Sequence, residues 1–137
     1  MKNLKFLFIA FLLIIPFGIF AQTKSNPVVE VIYFHGAQRC KTCMALEKVA
    51  KETVNEAFAQ QLKEGKVAFR TVDISSQAGE KIADRYKIAQ SSLIVVRKDG
   101  KKEQYTNLTS DGFRFAVNNP DKLKGIISNQ INTFLKR

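Results

Sequence analysis

The sequence predicts an α/β fold, in which helices flank a central, mixed, four-stranded sheet in the order β-α-β-α-β-β-α. Short runs of β-branched and aromatic residues alternate with segments whose apolar residues recur every three or four positions, as strands alternate with helices. The Asp99-Gly100 pair between the last two runs indicates a tight hairpin. With 137 residues, of which 45% are hydrophobic, the chain can form one domain with a real core, and not two.

The first strand and the first helix are predicted over residues 28–34 and about 40–63. The strand segment, VVEVIYF, is interrupted only by Glu30, which is typical of a strand covered on both faces. The helical segment should end at Gly65. Its apolar positions are Leu46, Val49, Ala50, Val54, Ala57, Phe58 and Leu62.

The rest of the chain predicts three more strands and three more helical segments. The first two β-α-β steps favour parallel strands with right-handed crossovers, and the hairpin adds an antiparallel edge strand. The predicted strands cover residues 67–74, 92–97 and 101–108. The predicted helical segments are residues 77–86 with a Ser75 or Ser76 cap, a short turn from a Ser110 cap to Phe115, and a last helix starting at Asn119-Pro120.

Residues 1–21 have the pattern of a secretory signal peptide. Lys2 and Lys5 give a positive start, and an unbroken apolar run then extends from Phe6 to Ala21. This pattern predicts cleavage after Ala21. The alternative is an uncleaved membrane anchor, although a spanning helix needs about 20 apolar residues.

Cleavage would leave a flexible lead-in over residues 22–27 and one small domain over residues 28–137. In either case the domain is expected outside the cytosol, periplasmic or secreted, or anchored by the uncleaved N-terminal helix. The style of the signal and the small size of the chain indicate a bacterial protein.

The chain is strongly basic, with 22 Lys and Arg against 12 Asp and Glu and a formal charge of +10, or +8 without residues 1–21. The charges are interleaved along the chain, and neither a basic stripe nor a nucleic-acid module is present. We therefore expect a monomer with no nucleic-acid partner, whose charge provides solubility and weak attraction to anionic surfaces. The densest basic group is Arg97, Lys98, Lys101 and Lys102.

The motif with chemistry is Cys40-Lys41-Thr42-Cys43, at the junction of the first strand and first helix. Free N–H groups and the dipole at a helix N-terminus favour a negative charge on Cys40, and the flanking Arg39 and Lys41 should lower its pKa further. A thiolate at Cys40 would attack a partner disulfide, and Cys43, one turn along, would resolve the mixed disulfide.

Other interpretations of the pair compete with this one. A structural staple would gain only about 2 kcal/mol, because the closed loop is so short. A metal site would need further ligands, such as His35, nearby acids or a second copy of the chain. Haem attachment is excluded, because Met44 follows the motif where a His is required.

The chain resembles the thioredoxin-like superfamily from about Val28 to Phe134. The resemblance rests on the strand VVEVIYF, on CKTC at the strand–helix junction and on the segment YKIAQSSLIVVRKDGK. It implies a central sheet flanked by helices and thiol–disulfide oxidoreductase activity. It also implies that Cys40 is the attacking thiol and Cys43 the resolving thiol of a redox-active disulfide.

The chain departs from the family pattern around the motif. Arg39 stands where thioredoxins usually have Trp, and Lys41-Thr42 replaces Gly-Pro. Ser92, preceded by Ser91, stands where the family has a cis-Pro that lines the substrate groove. We therefore expect a trans or strained Ser91–Ser92 bond and a substrate-binding hydroxyl near the sulfurs.

Two further polar residues near the motif each allow two interpretations. The family's buried acid has no obvious match in Tyr33-Phe34-His35, and Glu47 could replace it; the sequence favours an exposed Glu47 paired with Lys51. His35 could be a base for the thiols, but the sequence favours a loop residue hydrogen-bonded to backbone.

The leading functional prediction is an exported thiol–disulfide oxidoreductase that acts on protein thiols and disulfides through Cys40 and Cys43, without a cofactor or metal. A membrane electron-transfer partner is a further candidate. The alternative is a thioredoxin-like binding module that holds a soft metal or a partner protein through the CKTC loop.

Overall fold

A computed structural model describes residues 26–137 of the chain. The predicted signal peptide and most of the lead-in lie outside these residues. No helix in the part of the chain that the structure describes is long and apolar enough to cross a membrane. The elements are β1 (Val29–His35), α1 (Lys41–Ala57), α2 (Ala59–Lys63), β2 (Val67–Asp73), α3 (Gln77–Arg85), β3 (Ser92–Asp99), β4 (Lys102–Asn107), α4 (Thr109–Phe115) and α5 (Pro120–Leu135).

The four strands form one mixed sheet in the order β2-β1-β3-β4, which confirms the predicted fold class. β1 pairs with β2 in parallel and with β3 antiparallel, and β3 pairs with β4 antiparallel. The Asp99-Gly100 hairpin is confirmed, since Asp99 pairs with Lys102 and Gly100 takes a φ of 59°. This positive φ suits the tight turn between two antiparallel strands.

The expectation of a parallel third strand was wrong, because β3 starts at the same end of the sheet at which β1 ends, with Ser92 opposite Phe34. α3 has nine residues and rises only about 14 Å, too short to return the chain along a strand of seven residues. Lys87, with a φ of 55°, then turns the chain, and the segment up to Ser92 brings it back.

The helix predicted over residues 40–63 is two helices, interrupted at Phe58. The backbone of Phe58 is not helical, with φ −125° and ψ 27°, and its ring is buried in the core. The predicted stop at Gly65 is confirmed by a φ of 71° just after the end of α2.

Two of the predicted helix caps are confirmed and one is wrong. The Ser76 hydroxyl accepts the Gly79 amide at 3.0 Å, and the Asn119 side chain accepts the Lys122 amide at 3.2 Å. Ser110 caps nothing, because α4 already begins at Thr109.

The sheet has a hydrophobic core on each face, which places β1 in the middle of the domain, as its sequence predicted. α1, α4 and α5 pack on one face and α3 on the other. Alternate residues of β1 therefore enter different cores. Val29, Val31 and Tyr33 enter the first, and Ile32 and Phe34 enter the second.

Candidate active site

The cysteine motif begins where the backbone changes from strand to helix. β1 ends at His35, a short loop follows, and Cys40 is the N-cap residue of α1, with extended backbone at φ −75° and ψ 160°. Cys40 is exposed, and its Sγ accepts the backbone N–H of Cys43 at 3.0 Å. The expected position of Cys40 at an open helix N-terminus is confirmed.

Cys40 and Cys43 are joined by a disulfide bond, with their Cα atoms 4.9 Å apart. The two residues differ in accessibility, because Cys40 is exposed whereas Cys43 is only 7% exposed within the first turn of α1. A partner molecule can therefore reach the first sulfur much more easily than the second. This asymmetry is what a two-step exchange needs.

Arg39 forms an ion pair with Glu47, whose side chain is partly buried on α1 one turn after Cys43. The predicted pairing of Glu47 with Lys51 was wrong, because the loop before α1 turns the guanidinium of Arg39 toward the helix. The charge of Arg39 is thus largely compensated. Lys41, exposed and without an ion pair to any residue between 26 and 137, is the free cation next to Cys40.

His35 has the backbone-bonded role that the sequence favoured, although it is the last residue of β1 and not a loop residue. Its Nδ1 lies 3.1 Å from the carbonyl oxygen of Gly36, and its ring stacks on Tyr33 with the centroids 6.3 Å apart. It pairs in register with Asp73 of β2. The Ser75 hydroxyl and amide donate to the Asp73 carboxylate and hold its pKa below the usual value.

Ser92 is the first residue of β3 and is only 4% exposed. Its peptide bond to Ser91 is trans, as expected. Its hydroxyl donates to the carbonyl of Gln90 at 2.9 Å. The Ser92 hydroxyl already has a partner within the chain, and its binding of substrate stays a prediction.

Tyr33 lies beside the site, although its sequence context indicated no role there. The side chain is fully buried, and its hydroxyl lies near Ser91 and Arg39 without a hydrogen bond of good geometry to either. Burial raises the pKa of the phenol, and the neighbouring Ser91 and Arg39 partly offset that effect. The one signal in the sequence was its position near the end of β1, just before the loop that leads to the motif.

Apolar surface is exposed beside the cysteine pair. Met44 directly follows Cys43 and is 51% exposed. A groove of about 360 Å³ lies between α1 and the junction of α4 with α5. It is lined in part by Lys41, Ala45, Val49, Val117, Pro120 and Lys124.

No group of three or more His, Cys, Asp or Glu side chains within residues 26–137 is arranged to hold a metal ion. The sequence holds only two Cys and one His. A metal at the cysteine pair would therefore need a ligand of another kind, such as a thioether, or a ligand from outside the chain.

The sheet order, the flanking helices and the CxxC pair at the strand-to-helix junction define an α/β protein that is consistent with a thioredoxin-like protein. A fold and cysteine pair of this kind support a redox-type role in general terms.

Comparisons with known proteins find distant similarity to solved structures. No protein-family model matches the chain, and no curated protein matches it. The chain is similar to a solved structure described as that of a malarial protein, with 14% identity and a TM-score of 0.39, over 66% of this chain and 93% of that one. It is also similar to the solution structure of a thioredoxin from Thermus thermophilus, with 13% identity and a TM-score of 0.43, over 75% of this chain and 73% of that one. TM-scores this low do not establish the fold class. The fold class rests on the chain's own sheet order and cysteine pair.

Proposed function

We propose that this protein is an exported thiol–disulfide oxidoreductase that exchanges disulfides with other proteins through Cys40 and Cys43. The observation that carries the proposal is the exposed residue Cys40 at the N-cap of α1, whose Sγ accepts the Cys43 N–H at 3.0 Å. In the reduced protein, the same amide and the helix dipole would stabilise a thiolate at this position.

The exchange proceeds in two steps, attack on the partner disulfide and resolution of the mixed disulfide. The Cys40 thiolate attacks one sulfur of the partner disulfide, the partner S–S bond breaks, and the departing thiolate takes a proton from solvent. Cys43 then gives its proton to solvent, its thiolate attacks Cys40 Sγ, the mixed disulfide breaks, and the second partner sulfur leaves as a thiolate that takes up a proton. The partner has been reduced to two thiols, and this chain holds the Cys40–Cys43 disulfide; the reverse sequence oxidises a partner.

Cysteine variants of the full chain test the proposal. Cys40→Ser should abolish exchange with a model peptide disulfide, because the attacking sulfur is missing. Cys43→Ser should keep the first step and accumulate a mixed disulfide that gel electrophoresis without reductant and mass spectrometry detect. Thr42→Ser is the matched control, since it lies in the same turn and should exchange normally. Exchange by Cys40→Ser at the normal rate would refute the proposal.

The direction of electron flow is tested by the reduction potential of the pair against glutathione. A stabilised Cys40 thiolate favours the reduced form, so we expect a potential less negative than about −270 mV, the value typical of thioredoxin. A more negative potential would indicate a reductase instead.

A second candidate function is binding of a soft metal ion, and the exposed thioether of Met44 favours it. Met44 lies four positions after Cys40 and therefore on the same side of α1. Two thiolates and a thioether form the kind of ligand set that Cu(I) prefers. The full chain, reduced and titrated with Cu(I), should bind one equivalent, and Met44→Leu should weaken binding without slowing disulfide exchange. Equal affinity in the variant would refute this candidate.

A further inference from the structure

The polypeptide enters the domain beside the β3–β4 turn. Val29 pairs with Arg97 across β1 and β3, and the amide of Lys98 donates to the carbonyl of Val28 at 2.8 Å. The first described residues therefore lie against the hairpin. A cavity at this place is lined by Asn26, Pro27, Val28, Lys98, Gly100 and Glu103.

Two other parts of the chain reach the same end of the domain. The start of β2 lies there, because the amides of Val28 and Val29 donate to the carbonyl of Lys66 at 2.9 and 3.0 Å. The end of α5 lies there too, because Arg97 donates to the carbonyl of Phe134 at 3.2 Å. We call this region the basic end and define it by Lys63, Lys66, Arg97, Lys98, Lys101, Lys102, Lys136 and Arg137.

Most of the positive charge at the basic end is uncompensated. Within residues 26–137, acidic groups pair with three of its cations: Glu64 with Lys66 at 2.8 Å, Glu30 with Lys98 at 2.6 Å and Asp99 with Arg97 at 3.4 Å. The other five are exposed and form no ion pair within residues 26–137. They are Lys63, Lys101, Lys102, Lys136 and Arg137.

The apolar run of the sequence is joined to this same end by a short stretch of chain. Five residue steps separate Ala21 from Asn26. An extended chain spans at most about 3.6 Å per residue, so the run must end within roughly 18 Å of Asn26. A membrane that holds this run while it is still attached therefore lies next to the basic end.

We propose that the basic end docks on an anionic lipid bilayer. Phosphate headgroups are the partner that matches five free cations placed next to a membrane-directed apolar run. Each cation near such a surface raises the constant for binding to the membrane by about fivefold. An acidic protein could also be attracted to this charge. Such a partner would not account for the position of the apolar run next to the basic end, whereas a membrane does. This proposal does not depend on the redox function.

Lysine footprinting of the full chain on vesicles tests the proposal. The protein is mixed with vesicles of phosphatidylcholine alone or of phosphatidylcholine with phosphatidylglycerol, and acetylation of each lysine is followed by mass spectrometry. Lys101 and Lys102 should react several-fold more slowly on the anionic vesicles, and high salt should abolish the difference. Lys51 and Lys81, exposed on other faces, should react equally on both.

Two charge-matched triple variants separate the basic end from net charge. Lys101→Gln, Lys102→Gln and Arg137→Gln together should reduce the salt-sensitive binding to anionic vesicles at least tenfold. Lys51→Gln, Lys81→Gln and Lys87→Gln remove the same charge from other exposed positions and should leave this binding nearly unchanged. Equal labelling on both vesicle types, equal effects of the two variants, or protection by soluble polyglutamate instead of vesicles would overturn the proposal.

Discussion

Tyr33 carries a buried hydroxyl that no residue in the described part of the chain satisfies. Because an unsatisfied buried polar group costs about 1–3 kcal/mol, Tyr33→Phe should leave the free energy of unfolding unchanged or raise it by about 1 kcal/mol. Urea unfolding measures this. Tyr105→Phe is the control and should lower stability slightly, since its hydroxyl donates to the Tyr86 carbonyl at 3.3 Å. A larger loss in Tyr33→Phe than in the control would show that the Tyr33 hydroxyl is bonded.

Tyr86 should make the protein sensitive to alkaline pH. Burial, and then its hydrogen bond to Glu103 at 3.0 Å, raise the pKa of its phenol to about 12. A group whose folded pKa is raised stabilises the fold below its unfolded pKa, near 10 for Tyr, and that contribution is lost as the pH rises toward 12. Urea midpoints measured from pH 9 to pH 12 should fall less steeply in Tyr86→Phe than in the unchanged protein. Identical slopes would contradict the assignment.

At this scale the sequence located Cys40 and Cys43 but not the groups around them. Because Arg39 is next to Cys40 in the chain, the sequence predicts that its charge acts on the Cys40 thiol. The ion pair of Arg39 with Glu47 depends on the path of the loop between them, which no local pattern encodes. The surroundings of Tyr33 likewise depend on Ser91, which only the fold brings near.

Ser76, which caps a helix, and Ser110, which does not, provide a prediction at the scale of single helices. Ser76 accepts the Gly79 amide at the start of α3, so Ser76→Ala should lower the free energy of unfolding by about 1 kcal/mol. Ser110 has the sequence context of a cap but lies inside α4, so Ser110→Ala should change stability by less than about 0.5 kcal/mol. Chemical unfolding of both variants compares them directly. Equal losses would mean that the Ser76 hydrogen bond contributes nothing.

Elements were predictable where a local pattern decides them. The two-residue turn at Gly100 and the Asn119-Pro120 start of α5 carry their own signals, and both were correct. The direction of β3 was wrong because it depends on the length of α3 and on a turn at Lys87, for which the sequence has no Gly or Pro. The interruption at Phe58 was missed because a helical spacing of apolar residues continues through it.

For the whole molecule, the N-terminal apolar run predicts how the chain is processed. Protein isolated from a producing bacterium should begin at Gln22, as mass spectrometry of the intact chain would show. Ala21→Leu should block this processing, because the residue before the cut must be small. A chain that keeps residues 1–21 and stays with the membrane would instead support an anchor.

The general architecture was predictable because β1 is apolar on both faces and the cysteine pair directly follows it. The gathering of Lys66, the hairpin and the end of α5 at one place was not, since these segments are distant in sequence. The sheet register and the packing of α5 on the sheet bring them together.

β1 also acts as a rigid spacer. Its seven residues span roughly 23 Å between the residues that pair with the hairpin and the loop that carries Cys40. A domain standing on lipid by its basic end would hold its reactive sulfur at that height while diffusing in two dimensions. It would contact disulfides that neighbouring membrane proteins hold at a similar height, and not those close to the lipid surface. The height of the sulfur would then restrict which partners it can react with.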